Sequence, residues 1–156
     1  MRKNSNIWQS AENMIVFYLL HSVDEFNLFR KSIAESASSP RLKKSLIVVI
    51  VENQEQKSIL PNQPYFIYLT KSDFNWMGKL KNQEARQRFQ TKYDLLLVYG
   101  NLKPNFVKLA NKTNVEKRVT ITEVENLKYD IKLQPESNQI NQIASYTKEI
   151  LGRIQS

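Results

Sequence analysis

The 156-residue sequence contains no cysteine, and that absence removes disulfides, thiolate metal sites and cysteine nucleophiles together. It points to a reducing, cytoplasmic setting. Histidine occurs once, so no histidine-rich metal site can be assembled, and any Ser-His-Asp arrangement would have to use His21. Glycine occurs only at positions 78, 100 and 152, so the G-x-G-x-x-G turn of a dinucleotide fold cannot be written. Gly78-Lys79 follows an apolar run, as in a phosphate loop. That loop needs glycine at position 73 and Ser or Thr at position 80, and the chain has Asp73 and Leu80 there. Long apolar runs are lacking too. The first one, Met14 to Leu20, falls far short of the ~20 residues of a membrane span. As a signal-peptide core it has Glu12 and Asn13 before it and no small-residue cleavage site after it.

What is present suits one domain over residues 1–156, with residues 1–13 as an N-terminal extension able to be flexible. A chain of this length buries roughly 70% of the surface that its unfolded state exposes, enough for a core without staples. The net charge of +8 is unevenly spread. Residues 71–118 carry eleven Lys or Arg against four acids, a balance of +7, so the remainder is close to neutral. Such an excess either solubilises a face or attracts phosphate-bearing or acidic partners.

Strands and helices alternate along the chain. "MIVFYLL" (14–20), "SLIVVIV" (45–51) and "DLLLVY" (94–99) are continuous apolar runs, the pattern of strands buried on both faces. "PYFIYLT" (64–70) is a fourth strand, opened by a proline where the missing donor is tolerated. "KRVTITEV" (117–124) and "KYDIKL" (128–133) alternate instead, with Val119 and Ile121, then Tyr129, Ile131 and Leu133, on one side. Asp130 and Lys132 would discourage edge pairing with other chains. Ser22 and Glu25 form a capping box ahead of Val23, Phe26, Phe29 and Ile33, and that helix ends in Ser36 to Pro40. Asn82 caps a second helix running to Thr91 with Ala85 and Phe89 buried and Arg86 and Arg88 facing water. Lys103 to Asn111 gives a third, and a fourth begins near Ser137 with Ile140, Ile143, Ala144, Ile150, Leu151 and Ile154 as its stripe. Residues 52–64 hold at most one short helix. The expected architecture is three-layer α/β, a mostly parallel Rossmann-like sheet with helices on both faces and peripheral alternating strands near the C-terminus.

In such sheets ligands bind beyond the carboxyl ends of the strands. His21, Ser22, Lys71, Ser72, Asp73, Tyr99 and Asn101 fall there, a set that could hold an anion between Lys71 and the helix-start amides near Ser22. The other reading makes them ordinary polar groups of loops. Trp76, with Lys79 and Lys81 beside it, could stack on a base or anchor a protein partner, or could fold back onto the core and fix a long loop. Nucleic-acid binding is disfavoured: the sequence has no aromatic ribonucleoprotein signature, no zinc spacing and no helix-turn-helix signal.

The order Phe74-x-Trp76-x-Gly78-Lys79, a short polar helix, "YDLLLVY", a helix and "EKRVTI" resembles a family of small uncharacterised bacterial proteins, a domain of unknown function, over roughly residues 65–155. Members tend to have glycine where this chain has Thr120, and the first 60 residues match poorly. The resemblance implies a fold class and no reaction. Residues 93–121 are also similar to a strand-helix-strand stretch in the acceptor half of heptose-transferring glycosyltransferases. Those enzymes need a second Rossmann-like half, which 156 residues cannot hold, so this likeness bears on fold alone. The expectation is a non-catalytic domain binding a protein partner or a phosphate-bearing small ligand, with no cofactor and no metal. Anion or sugar-nucleotide chemistry at the strand ends is the alternative, and weak nucleic-acid association through residues 71–118 is a second. Homodimerisation leaves no mark in the sequence.

Overall fold

The computed structural model of the chain describes residues 7–36, 45–61, 65–134 and 147–153. Strands β1 (Met14–Leu19), β2 (Leu46–Ile50), β3 (Phe66–Leu69), β4 (Tyr93–Tyr99), β5 (Val115–Thr120) and β6 (Ile131–Lys132) form one sheet in the order β3-β2-β1-β4-β5-β6. Every neighbouring pair is parallel, so the sheet is Rossmann-like throughout. The three continuous apolar runs are its three central strands, β2, β1 and β4. A central parallel strand has helices over both faces, so polar residues are excluded from both of its sides.

Alternate residues feed two cores. On one face Met14, Val16, Tyr18, Leu95 and Leu97 meet Phe26 and Phe29 of α2 (Val23–Ser36) and Ile7 and Trp8 of α1 (Ile7–Ser10). Leu151, in a helical stretch over residues 147–151, joins the same face. On the other face Ile15, Phe17, Leu96 and Val98 meet Ala85 and Phe89 of α4 (Gln83–Gln90) and Phe106, Val107 and Ala110 of α5 (Pro104–Lys112). The short α3 (Gln54–Ser58), between β2 and β3, buries none of its residues.

The helix starts follow from their caps. Ser22 Oγ accepts from Glu25 N at 3.1 Å, and Asn82 Oδ1 from Ala85 N at 3.0 Å. Helix α5 opens with Pro104, whose fixed φ suits a first turn.

Two expectations about the later elements are corrected, and in the N-terminal stretch the described part packs from Ile7 onward, with Ile7, Trp8 and Ala11 buried. It is tied down because the Asp94 carboxylate accepts from Glu12 N at 2.9 Å, while Asn13 Oδ1 accepts from Asp94 N at 3.0 Å. The last strands are shorter than their alternating patterns, and Tyr129 is half exposed, because β6 begins only at Ile131. Val23 is exposed at the outer side of α2, which buries Phe26 and Phe29 instead. The parallel connection over 121–130 carries no helix and covers the sheet with Val124 and Leu127. Helix α2 is described as far as Ser36, and Ala37 to Pro40, the side chain of Ile33, the proline at position 64, and Ser137, Ile140, Ile143, Ala144 and Ile154 lie outside the described residues. No helix among the described residues is long and apolar enough to cross a membrane.

Candidate functional site

At the carboxyl ends, the strand order splits the expected set. Strands β1 and β4 are neighbours, and the chain leaves β1 over one face through α2 and β4 over the other through α5, which makes their junction the switch point of the sheet. His21, Ser22 and Asn101 stand exposed there. Lys71, Ser72 and Asp73 follow β3, two strands away and so roughly 10 Å along the sheet. Tyr99 turns into the core, edge-on to Phe29 at 5.7 Å, where burial pushes its phenol pKa up against a hydrogen bond to Thr147. Asp73 is committed to structure: its carboxylate accepts from Thr70 N at 2.7 Å and pairs with Lys57 Nζ at 3.2 Å. Ser72 Oγ takes a hydrogen bond from Gln54 Nε2 at 2.8 Å. Ser22 Oγ caps its own helix, and Asp24 and Glu25 in the first turn of α2 oppose an anion arriving there. Of that set, Lys71 alone in the β3 group is both exposed and without a hydrogen bond or ion pair from its side chain among the described residues.

The other end of the same segment is organised differently. Residues 74–80 form a small hairpin closed by an antiparallel bridge between Phe74 and Leu80. Asn75 holds its tip through four hydrogen bonds. Its amide donates to Lys79 O at 2.7 Å, its carbonyl accepts from Gly78 N at 2.9 Å, and its Oδ1 accepts from Met77 N at 2.9 Å and Lys79 N at 3.0 Å. Gly78, at φ 80°, takes the left-handed position that a three-residue hairpin loop requires. Phe74 and Leu80 anchor the two arms in the core, with Phe74 edge-on to Phe106 at 5.1 Å.

This geometry pushes Trp76 and Met77 outward at the corner of the turn. Trp76 is 93% exposed and Met77 56%. Folding back onto the core, the alternative in the sequence, is ruled out: the turn leaves the indole on the solvent side. Lys79, on the returning arm, and Lys81, just past the bridge at the hairpin's base, are both exposed.

Beside the hairpin lies a cleft of about 190 Å³ between α4 and α5. Phe74, Leu80, Phe89 and Leu109 line it with apolar surface, and Lys79, Arg86, Lys108 and Lys112 line it with cations. The four cations come from three elements, the hairpin, α4 and α5. None has a side-chain ion pair or hydrogen bond among the described residues, and no carboxylate is in the lining. Of this group only Lys79 stands out in the sequence. Arg86 has the pattern of a water-facing residue, and the one available signal is the i,i+4 spacing of Lys108 and Lys112, a like-charge pair on one face of α5 that is locally unfavourable. Lys81 is not part of the lining.

A second, open groove of about 420 Å³ runs along the edge strand β3. Its charges are mixed, with Lys57 and Arg88 against Asp73 and Glu84.

No group of three or more His, Cys, Asp or Glu able to hold a metal ion is present among the described residues. Neither the curated proteins nor the solved structures contain a match to the chain, so the likeness of residues 93–121 to heptose-transferring glycosyltransferases has no counterpart there. The model of a family of unknown function, DUF6913, matches residues 1–154, extending over the first 60 residues as well, and the chain belongs to that family.

Proposed function

We propose that the chain is a non-catalytic binding domain that engages a protein partner through the Trp76 hairpin and the surface next to it. The observation that carries this reading is a tryptophan held 93% exposed by a hairpin whose tip Asn75 fixes with four hydrogen bonds. A rigid aromatic side chain presents a large contact area while losing little conformational freedom on binding, and tryptophan is enriched among the residues that dominate interface energetics. Met77 beside it adds an adaptable apolar surface. Single exposed hydrophobic residues are ordinary on protein surfaces. A tryptophan and a methionine at one corner, both displaced from the core by the turn that carries them, are a different case.

The test compares wild-type chain with Trp76→Ala. The substitution is expected to leave the denaturant midpoint unchanged, because the indole packs on almost nothing, and to remove or strongly weaken a partner recovered with the wild type. Equal recovery of every partner by both forms would count against the hairpin. A phosphate-bearing ligand near His21, Ser22, Lys71 and Asn101 remains the second proposal from the sequence, and the acids at the start of α2 weigh against it. Stabilisation in a thermal-shift screen of nucleotides and sugar nucleotides, lost in Lys71→Ala, would favour it.

A further inference from the structure

We propose that the cleft between α4 and α5 seats an acidic peptide segment of the partner, with one apolar side chain on the cleft floor and carboxylates on either side meeting Lys79, Arg86, Lys108 and Lys112. This rests on the binding reading above and specifies the chemistry of what is bound.

Charge is the first argument. In the groove along β3 the chain neutralises its own cations, with Lys57 on Asp73 at 3.2 Å. In the cleft it leaves four cations from three elements without an acid in the lining. Like charges gathered around one hollow repel one another and raise the local positive potential, which an anionic occupant relieves. The i,i+4 pair Lys108 and Lys112 adds a local penalty to α5, and no acid among the described residues pairs with either lysine. Apolar surface is the second argument. Phe74, Leu80, Phe89 and Leu109 give the cleft a floor that an inorganic anion alone would leave in contact with water.

Size and ring geometry select among anions. About 190 Å³ is below the roughly 300–1,000 Å³ of pockets that take drug-sized ligands and cofactors, and it suits one side chain. Nucleic acid needs exposed aromatic faces on which bases stack. The rings of the cleft floor are committed to the core, Phe74 against Phe106 and Phe89 against Phe17 at 6.0 Å, so a base has no ring to stack on inside the cleft and only the Trp76 indole outside it. Three of the four cations are lysines, point charges on flexible stems that accept carboxylates at varied positions. Lys79 enters the cleft from the hairpin that carries Trp76 at its tip, so a segment lying in the cleft continues onto the exposed indole.

The experiment selects random heptapeptides displayed on phage against the full chain, then measures synthetic versions of the winners by fluorescence anisotropy. Enrichment of peptides with Asp or Glu on both sides of a single Leu, Ile, Met or Phe is the expected result. Their affinity should fall about 5-fold in Lys108→Gln/Lys112→Gln, which keeps the helix composition favourable, and at least about 10-fold in Lys108→Glu/Lys112→Glu. It should also weaken as salt is raised. Enrichment of neutral or basic peptides, no enrichment, or acidic peptides indifferent to both double variants would overturn the inference. So would displacement of the acidic peptides by an equimolar single-stranded oligothymidine. Neutral peptides lost in Trp76→Ala but kept in Lys108→Gln/Lys112→Gln would sink the acidic seat and leave the hairpin as the binding element. Acidic peptides lost in the lysine variants but kept in Trp76→Ala would support the seat and count against the hairpin.

Discussion

Gly78 and Gly100 share a positive φ, 80° and 127°, but the space around them differs. A Cβ at Gly78 would meet nothing closer than Asn105 Oδ1 at 3.9 Å. At Gly100 it would sit 2.5 Å from Leu19 Cβ, because the ends of β1 and β4 converge there, and the Thr122 hydroxyl bonds the Gly100 carbonyl at 2.8 Å. Gly78→Ala therefore carries backbone strain alone, about 1 kcal/mol, whereas Gly100→Ala adds overpacking and should lose roughly 3 kcal/mol. Urea denaturation of the two variants checks the order, and equal losses would contradict the close approach of Leu19. The few glycines were visible as an absence of nucleotide loops. Their separate roles were not, since one depends on a local turn and the other on a neighbouring strand distant in sequence.

At the scale of elements, α5 shows how much a helix depends on chain outside it. Its N-cap, Lys103, makes no side-chain cap. Its C-terminal end is held by Arg118 of β5, whose guanidinium donates to Ala110 O at 2.7 Å, Asn111 O at 3.2 Å and Thr113 O at 2.6 Å. Ala110 O also accepts from Thr113 N at 3.2 Å, so the guanidinium adds to the capping of the last turn and of the residue after it, and a cation there complements the negative end of the macrodipole. The Arg118 pKa lies below its ordinary value, chiefly because burial disfavours the charged guanidinium, and Asp130, which accepts from Arg118 N at 2.8 Å, opposes that shift. Arg118→Ala should destabilise the chain by about 2–3 kcal/mol and speed amide exchange in the last turn of α5, with Arg118→Lys recovering only part of the loss because an ammonium has no fork. Unchanged exchange in that turn would mean the carbonyls are satisfied without Arg118. The helix itself was legible from Phe106, Val107 and Ala110, within a residue at each end. Its cap was not, because it comes from the next strand, and α1 was missed because four residues are too few for a period to show.

For the whole molecule, burial of tyrosines sets a response to alkali. The phenols of Tyr18, Tyr68, Tyr93 and Tyr99 all lie above the ordinary value of 10.0, chiefly because burial disfavours the phenolate. Tyr18 stacks on Phe29 at 4.0 Å, and after burial the nearby Glu25 carboxylate is the further cause that disfavours its phenolate. Folding raises these pKa values, so the unfolded chain releases the protons first. Stability from this source is complete below pH 10 and falls as pH rises beyond it, through the folded values. Denaturant midpoints measured from pH 8 to 12 should be flat in this respect up to about pH 10 and then drop, together with cooperative growth of phenolate absorbance. Phenolate appearing at the ordinary pKa without unfolding would show that these rings are reachable by water.

The sequence by itself determined the class of fold. Continuous apolar runs at 14–20, 45–51 and 94–99 demand cover on both faces, and helical periods between strands supply it. It also excluded thiol chemistry and glycine-rich nucleotide loops by composition alone. Strand order was decided only by the tertiary structure, because apolar runs that are equally buried carry no record of their neighbours. That order separates His21 from Lys71 by two strands. It also sets α4 and α5 on one face, where Arg86, Lys108 and Lys112 meet Lys79 around a shared apolar floor. Charge along a chain can be counted from its letters, but a cleft is made by residues from three elements, and only packing against a common sheet brings them to one place.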